Sequence, residues 1–333
     1  MNTNPSSSVH ISSTAAHRDR PTSDQQVDAI TRARGARERA LVLGGGGAAG
    51  NAWEIGVIAG LLACGLDVTD ADLIVGTSAG ATAAAQITST TRPAELFADI
   101  LAAAALQPRT APVGFDRGHS PMSAAAYMET TNDIIRAAEN PADMRRKMGA
   151  AALETDATSD NAAQARRRAV VAARLPGQHW PQQPVQIVAV DAHTGEPVVF
   201  DRHSGVDLVD AVAASTANGF GAFPPYRVGD HRYVDGGYRA NENADLAAGY
   251  GRVLVLSPFG GRSRMPQAWG THLAAQVDEL RACGSRVETV FPESSSRELF
   301  GVNALDPSTR LPAAKAGYDQ GSALAEQLAE FWR

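Results

Sequence analysis

The sequence predicts an α/β fold with a mainly parallel central sheet and helices on its faces. The observation behind this prediction is an alternation of strand and helix patterns. Arg39–Leu43 is a short apolar strand that leads through glycines into a helical pattern over residues 51–64. A second strand at residues 72–75 leads through another glycine-flanked turn into a helix over residues 79–89. This order is typical of parallel strands whose connecting helices cover the sheet.

The composition excludes several classes of protein. With 44% apolar and 20% charged residues, the chain of 333 residues has the balance of an ordinary globular protein. Its net charge of -6 offers no basic surface, so nucleic acid is not an expected partner. The two cysteines, Cys64 and Cys283, lie in apolar helical patterns and indicate a reduced cytoplasmic protein without disulfides. No Cys or His cluster suggests a metal, and we expect no organic cofactor.

Residues 1–38 are polar and rich in Ser, Thr, Asp and Arg, and we expect a disordered tail there. They lack the apolar core of a signal peptide, and no run of about 18 apolar residues occurs in the sequence. One domain is therefore expected over residues 39–333. We expect it in the cytoplasm, with at most peripheral contact with a membrane.

Residues 93–180 differ in character from the segments around them. They are rich in alanine and helical in pattern, with a loop of Pro, Gly and His near residues 108–121. The pattern predicts a mainly helical insertion or cap over the sheet. Its basic triplets, Arg145-Arg-Lys147 and Arg166-Arg-Arg168, are typical of solvated helix faces, and contact with phosphate or a membrane is the second interpretation.

Strand patterns resume after this region. Val185–Val190, a turn at His193-Thr-Gly195 and the apolar run Pro197–Phe200 together predict a hairpin. The elements expected after it are a helix over 206–215, a Gly/Pro-rich loop, a short strand leading into Tyr233–Tyr238, a helical start at 243–249, a strand at Arg252–Leu256 and a helix over 313–332.

The second glycine-flanked turn is the strongest chemical motif. Gly76-x-Ser78-x-Gly80 follows the strand in the segment Asp72–Ala81. A serine on such a strand-to-helix turn is exposed above the N-terminus of the helix. The flanking glycines let the backbone turn sharply. Ser78 is therefore a candidate nucleophile, which needs a base to take its proton.

Two kinds of base can be considered for Ser78. Of the eight histidines, only His272 comes late enough after Asp235 to follow the order of an α/β-hydrolase triad, and it lies in a helical context. Asp235, just before Gly236 and Gly237, is the alternative. A carboxylate becomes a useful base only if burial raises its pKa. A plain tight turn at Asp235-Gly-Gly remains open.

The glycine run from Gly44 to Gly50 can be interpreted in three ways. Its backbone N–H groups could stabilise an oxyanion, since no side chains obstruct them. The spacing Gly45-x-Gly47-x-x-Gly50 is also that of a dinucleotide-binding loop. That interpretation needs an acidic residue at the end of the next strand, whereas Asp67, Asp70 and Asp72 precede it. A purely structural turn is the third interpretation.

Taken together, three motifs resemble the patatin-like phospholipase family. They are Leu41–Gly50, Ile74–Ala81 and Val234–Gly237, in the order that the family has them. Supporting similarity lies in Asp191–Phe200, in Ala214-Ser215 and in Phe223-Pro-Pro225. The resemblance covers roughly residues 39–90 and 185–258.

The resemblance implies a three-layer α/β/α sandwich and a serine hydrolase that cleaves acyl esters of lipids. By matching position, it implies that Ser78 is the nucleophile and Asp235 the base. It also implies that the backbone of Gly45, Gly46 and Gly47 forms an oxyanion hole. The remaining motif glycines are Gly44, Gly50, Gly76, Gly80, Gly236 and Gly237.

One position departs from the family pattern. Many relatives carry a basic residue where this chain has Ala49, which leaves the preference for a lipid headgroup open. A catalytically silent lipid- or partner-binding protein on the same fold is an alternative. An acyltransferase is another, because the same acyl-enzyme can react with an acceptor other than water.

Overall fold

A computed structural model of the chain describes residues 38–106, 123–155, 161–221, 223–301 and 303–333. The predicted tail lies outside this part except for residue 38, and so does the predicted loop near 108–121. The described residues include an eight-stranded sheet. Its strands β1 to β8 span, in order, Arg39–Leu43, Leu73–Thr77, Val185–Asp191, Pro197–Phe200, Tyr226–Val228, His231–Asp235, Arg252–Leu256 and Arg286–Val290.

The strand order is β5-β6-β3-β2-β1-β7-β8, with β4 also paired to β3. The centre of the sheet is parallel, because β1 pairs with β2 and β7, β2 with β3, and β7 with β8 in that sense. β4 and β6 pair antiparallel with β3, and β5 with β6. The predicted mainly parallel sheet is confirmed, and so is the predicted hairpin of β3 and β4.

Helices cover both faces of the sheet. The helices α1 to α9 span, in order, Gly47–Ala63, Ala79–Ile87, Pro93–Leu106, Ala124–Ala137, Pro141–Thr155, Asn161–Ala172, Leu208–Ser215, Leu273–Ala282 and Arg310–Trp332. Alternate residues of a strand face opposite sides. Leu41 and Leu43 of β1 share a core with α1, α2, α7 and α9, whereas Ala40 and Val42 share a core with α8. The predicted α/β/α fold is therefore confirmed.

The helix that starts in the glycine run, α1, is fixed by close packing on α9. A Cβ added at Gly56 would lie only 2.2 Å from the carbonyl oxygen of Ala314. The indole N–H of Trp53 donates to Oε1 of Gln320 at 3.1 Å. Because both contacts are buried, α1 holds the glycine run at its N-terminus in a fixed position.

The region between α2 and β3 is helical wherever it is described. It contains α3 to α6, and no strand lies in the described residues of 93–180. α3 packs on α1 and α9, and α6 packs on α7. α4 and α5 contribute Ile135, Met144 and Met148 to an apolar cluster with Val190 and Val234 of the sheet. These helices thus lie near the ends of β3 and β6.

Several elements differ from the sequence prediction, and three of the differences are the clearest. α1 begins at Gly47 rather than at residue 51, because the end of the glycine run already forms its first turn. The sequence does not predict β8, in which charged residues interrupt the apolar pattern. The expected helical start at residues 243–249 is a short 3-10 turn at Ala244–Ala247.

The cysteines and the helix lengths bear on the environment of the protein. Cys64 and Cys283 are exposed and unpaired, each just after the last turn of a helix. None of the described helices combines the length and the apolar character needed to cross a bilayer.

Candidate active site

Ser78 stands at the junction of β2 and α2. Its φ of 53° and ψ of -112° lie in a region that a non-glycine residue occupies only under strain. Among the described non-glycine residues, only Asn243 shares a positive φ. Ser78 is partly exposed, while its two neighbours in the chain are buried. Such a backbone is typical of a strand-to-helix turn that presents one side chain to substrate.

The glycines around Ser78 allow a close approach of two backbones. A Cβ at Gly80 would lie 2.0 Å from the carbonyl oxygen of Leu43, and one at Gly76 would lie 2.7 Å from Cα of Ala81. The N–H of Gly80 donates to the carbonyl oxygen of Gly44 at 3.1 Å. Since β1 ends at Leu43, these contacts set the glycine run beside the start of α2.

Ser78 and Asp235 meet because two strands end at neighbouring positions of β3. In the sheet register, Thr77 of β2 is aligned with Val188, and Asp235 of β6 is aligned with Ala189. Ser78 follows Thr77 directly. The hydroxyl of Ser78 lies close enough to the carboxyl of Asp235 to lower its pKa, as a hydrogen-bond donor does.

Asp235 is held by the turn that follows it. The N–H of Gly237 donates to Oδ1 of Asp235 at 2.8 Å. A Cβ at Gly236 would lie 2.3 Å from the carbonyl oxygen of Val188, so the turn lies tightly against β3. The Asp-Gly-Gly motif is thus a tight turn that also fixes the position of the Asp235 carboxylate.

The pKa of Asp235 is unusual for an aspartate. Burial raises it from 3.8 to about 6, although the hydrogen bonds from Ser78 and Gly237 and the charge of Arg167 lower it. Burial has this effect because it disfavours the charged form. A carboxyl with such a pKa is mostly ionised at pH 7 and is a stronger base than an ordinary aspartate.

The segment Ser215-Thr216-Ala217, at the end of α7, contacts both residues. Oγ of Ser215, a fully buried side chain, accepts a hydrogen bond from the N–H of Ser78 at 2.9 Å. The carbonyl oxygen of Ala217 accepts one from the N–H of Asp235 at 2.7 Å. The sequence indicates no role for Ser215 beyond the family resemblance, because a serine at a helix end has many ordinary uses.

Arg167 of α6 contacts the middle residue of this segment. Its Nη2 donates to the carbonyl oxygen of Thr216 at 3.2 Å and to Oγ1 of Thr216 at 2.8 Å. Its guanidinium carbon lies 4.7 Å from the ring centroid of Phe223. Burial lowers the pKa of Arg167 to about 10, so the side chain stays charged at neutral pH. The prediction of a solvated triplet at residues 166–168 is therefore wrong for Arg167.

The glycine run forms a loop, Gly44–Gly47, between β1 and α1. The N–H of Gly45 donates to the carbonyl oxygen of Asn241 at 2.9 Å. Of the three predicted oxyanion donors, Gly45 therefore already uses its N–H in a hydrogen bond to Asn241. The N–H groups of Gly46 and Gly47 have no backbone partner among the described residues.

A network of polar side chains is hydrogen-bonded to the glycine loop. Nδ2 of Asn241 donates to the carbonyl oxygen of Gly45 at 3.3 Å and to Oε1 of Glu242 at 2.9 Å. The hydroxyl of Ser257 donates to the same Oε1 at 2.6 Å. Burial raises the pKa of Glu242 above its ordinary value. Sequence reasoning missed this network, which has no motif of its own.

Helix α4 also reaches the site. The hydroxyl groups of Tyr127 and Tyr238 lie 3.2 Å apart, and that of Tyr238 donates to the carbonyl oxygen of Asn218 at 2.5 Å. Burial raises the pKa of both tyrosines, and the negative charge of Asp235 adds to this effect. The phenols therefore stay neutral and within the electric field of Asp235.

The dinucleotide interpretation of the glycine run finds no support in the position of Asp72. Its Oδ2 accepts hydrogen bonds from the N–H groups of Glu38 and Arg39, each at 2.9 Å. These residues lie at the start of β1, whereas the glycine loop lies at its end. Asp72 therefore stabilises the start of β1, at the opposite end of that strand from the glycine loop.

The described histidines have other contacts. Nε2 of His272 lies 2.7 Å from the carbonyl oxygen of Met265, and Nδ1 of His231 lies 2.9 Å from Oδ2 of Asp191. No hydrogen bond of the described residues joins Ser78 to a histidine.

Comparison of the sequence with known families gives one finding. The family described as patatin-like phospholipase matches residues 41–248, which is more than half of the chain. The matched stretch contains the glycine loop, Ser78 and Asp235. No curated protein sequence matches the chain significantly.

Two solved structures are distantly similar. VipD from Legionella pneumophila aligns with a TM-score of 0.42 and 14% identity, over 87% of this chain and 67% of VipD. The type III effector protein ExoU aligns with a TM-score of 0.38 and 18% identity, over 87% of this chain and 53% of ExoU. The chain thus spans about half the length of ExoU. Similarities this distant say nothing about the activity of the chain.

Proposed function

The chain belongs to the patatin-like phospholipase family, and from this premise we propose that it is a serine acyl-hydrolase that cleaves carboxylic esters of lipids. Ser78 is the nucleophile and Asp235 the base. The proposal is supported by the position of Ser78 beside Asp235, at neighbouring strand ends on β3, and by burial, which raises the pKa of that carboxyl to about 6. A base of this strength can accept a proton during attack and release it at neutral pH.

In the proposed first step, Oγ of Ser78 forms a bond to the ester carbonyl carbon while its proton passes to Asp235. The electron pair of the carbonyl double bond moves to the oxygen, and the N–H groups of Gly46 and Gly47 stabilise that negative charge. The tetrahedral intermediate then collapses. The alcohol leaves with the proton from Asp235, and the acyl group stays on Ser78.

In the second step, water takes the place of the alcohol. Asp235 accepts a proton from water while the water oxygen attacks the acyl carbon. Ser78 leaves and recovers its proton from Asp235, and the free fatty acid is released. Because one carboxylate serves both steps, no histidine is required.

Hydrolysis of p-nitrophenyl butyrate tests the proposal. We expect Ser78→Ala and Asp235→Asn each to lower kcat/KM by about a thousandfold or more, since the groups act as a unit. Asp230→Asn, in the exposed turn between β5 and β6, and Ser204→Ala, in an exposed loop, are the matched controls and should keep full activity. Activity that survives in both site variants would refute the proposal.

A fluorophosphonate probe adds a second readout. It should label the wild-type protein at Ser78 and leave Ser78→Ala unlabelled, because only an activated serine reacts. Lipid binding without labelling would instead favour the silent binding protein. Transfer of the acyl group to an added alcohol in preference to water would favour the acyltransferase.

Two further expectations belong to this proposal. The substrate is a lipid or another acyl ester, met by peripheral contact with a lipid surface. The cytoplasmic location stays a prediction, in keeping with the two unpaired cysteines.

A further inference from the structure

Three arginines near the candidate site have no acidic partner. Among the described residues, none of Arg167, Arg174 and Arg310 forms an ion pair with an aspartate or glutamate. By contrast, Arg168, which follows Arg167 in the chain, forms ion pairs with both Asp207 and Asp210. An unpaired arginine is ordinary on an open surface, as at the exposed Arg174, but it is costly where the side chain is partly buried, as at Arg167 and Arg310.

Arg167 and Arg174 lie on the same side of one helical stretch. They are seven residues apart, which is two turns and a rise of about 10 Å. The stretch continues past the end of α6, because the N–H of Arg174 donates to the carbonyl oxygen of Val171 at 2.9 Å. The two positive charges repel each other, and after burial the charge of Arg174 is the next cause that lowers the pKa of Arg167.

Two buried amides join Arg174 to Arg310. Nη1 of Arg310 donates to Oδ1 of Asn51 at 3.0 Å, and Nδ2 of Asn51 donates to Oε1 of Gln86 at 2.9 Å. Nε2 of Gln86 in turn donates to the carbonyl oxygen of Arg174 at 3.0 Å. The pKa of Arg310 is lowered by burial and then by the charge of Arg174. These bonds link the guanidinium of Arg310 to the backbone of Arg174, and we call Arg167, Arg174 and Arg310, in this order, the row.

The row leads away from the candidate base. Its inner end is Arg167, whose charge lowers the pKa of Asp235. Its outer end lies where the exposed Arg174 approaches Arg310, at the start of α9. The row therefore begins at Thr216, between the residues that bond Ser78 and Asp235, and includes the exposed Arg174.

We propose that Arg174 and Arg310, with Arg167 at the inner end, bind the phosphate of the lipid headgroup. This inference rests on the proposed function, since it assigns the substrate class of the same site. Guanidinium groups bind phosphate oxygens through paired N–H donors. The phosphate relieves the repulsion within the row and supplies the missing counter-charge.

The row also selects among headgroups. A choline headgroup carries its own positive ammonium, which the positive charges of the three arginines repel. An anionic headgroup such as phosphatidylglycerol brings only negative charge. The preferred substrates are accordingly anionic phospholipids.

Vesicle flotation with full-length protein tests the proposal. The Ser78→Ala background keeps the lipids intact, and the vesicles contain phosphatidylcholine alone or with phosphatidylglycerol. We expect Ser78→Ala to prefer the anionic vesicles, and Arg174→Gln with Arg310→Gln to weaken that binding by about 30-fold. The lysine pair at the same positions should retain most of the binding because it retains the charge.

A matched control distinguishes the effect of the row from a general effect of positive charge on vesicle binding. Arg202→Gln with Arg281→Gln removes two exposed positive charges elsewhere and should leave binding within a few-fold of the parent. The proposal is overturned if both pairs of substitutions weaken vesicle binding equally. It is also overturned if Arg174→Gln with Arg310→Gln does not weaken vesicle binding. Short-chain phosphatidylglycerol should compete with the vesicles. Inorganic phosphate that competes equally well would mean a soluble phosphate ligand and would also overturn it.

Failure of the headgroup proposal can be distinguished from failure of the hydrolase proposal. Hydrolysis of p-nitrophenyl butyrate by the protein with Ser78 intact needs no headgroup. If that ester is cleaved while vesicle binding ignores the row, only the headgroup assignment fails. If the row binds anionic vesicles while no ester is cleaved, the hydrolase proposal fails and the lipid site remains.

Discussion

The two sides of Ser78 are built from different kinds of contact. On the side of the glycine loop the contacts are backbone to backbone, as in the hydrogen bond from Gly80 to Gly44. On the side of Asp235, side-chain contacts are added to the backbone contacts, and they include those of Ser215 and Arg167. The first side fixes where backbones lie, and the second sets the electrostatics of the carboxylate.

This difference predicts different responses to substitution. Backbone packing leaves no room for added atoms, so changes there should act on stability and activity together. Side-chain contacts can be removed without a clash, so changes on the Asp235 side should act mainly on pH dependence and rate. Three substitutions test this expectation, and they follow in order of decreasing effect.

Gly80→Ala should have the largest effect. The new Cβ would lie 2.0 Å from the carbonyl oxygen of Leu43, so β1 or α2 must move. We expect a loss of about 3 kcal/mol in the free energy of unfolding, together with most of the activity. Urea unfolding followed by fluorescence measures the first quantity.

Gly301→Ala is the matched control for this substitution. Its added Cβ would find its nearest contact 3.7 Å away, at the carbonyl oxygen of Glu298, and its φ is -108°. The expected change is within about 0.5 kcal/mol. If the two alanine variants were equally stable, close backbone packing would not explain the glycine.

Asp235→Asn should change how stability depends on pH. The folded-state pKa of Asp235, about 6, lies above the ordinary 3.8. The group therefore favours the folded state below about pH 4, and this contribution is lost as pH rises through 6. Asparagine cannot titrate, so the variant should gain stability relative to wild type on the order of 1–3 kcal/mol between pH 4 and pH 7.5.

Unfolding free energies at both pH values check this expectation, with Asp230→Asn as the control. A difference between Asp235→Asn and wild type that stays constant across the two pH values contradicts a raised pKa. Since both proteins share all other titrating groups, those groups cancel in the comparison.

Arg167→Met should have the smallest effect, seen in the pH profile of kcat/KM. The charge of Arg167 lowers the pKa of Asp235, so its removal raises that pKa further. The acidic limb, near pH 6 in the wild type, should move to higher pH, and the ratio of the rates at pH 6 and pH 8 should fall by a few-fold. Arg167→Lys should keep the wild-type profile.

Arg168→Met is the neighbouring control, because Arg168 pairs with Asp207 and Asp210. It should leave the limb in place. A purely structural role for Arg167 would lower the rate equally at both pH values and would leave the limb unmoved.

The same contrast explains what the sequence could predict. Close backbone contacts require glycine, and glycine is visible in a sequence, so Gly44–Gly50, Gly76-x-Ser78-x-Gly80 and Asp235-Gly-Gly mark their places. The strand and helix pattern around them is strong enough to predict a parallel sheet with helices on its faces, and the family resemblance implies the three layers. Arg252–Leu256, a continuous apolar run in the parallel core, was predicted with its observed bounds.

Other features could not be predicted because they arise only from tertiary contacts. Arg167 stands in a basic triplet that is typical of a solvated face, and its burial depends on α7 and Phe223. β8 lies at the edge of the sheet, where Arg286 and Glu288 interrupt the apolar pattern. The engagement of the Gly45 N–H depends on Asn241, which is distant in sequence.

The meeting of β2 and β6 on β3 also has a consequence for folding kinetics. The hydrogen bond between Ser78 and Ser215 closes a loop of 137 residues, and Asp235 joins still later in the chain. Such long-range contacts form slowly, because the entropy of the whole intervening chain must be lost first. During refolding, recovery of helical circular dichroism should therefore precede recovery of probe labelling at Ser78. The serine would gain reactivity only once β6 has docked, so partly folded chains would be inert towards lipid esters.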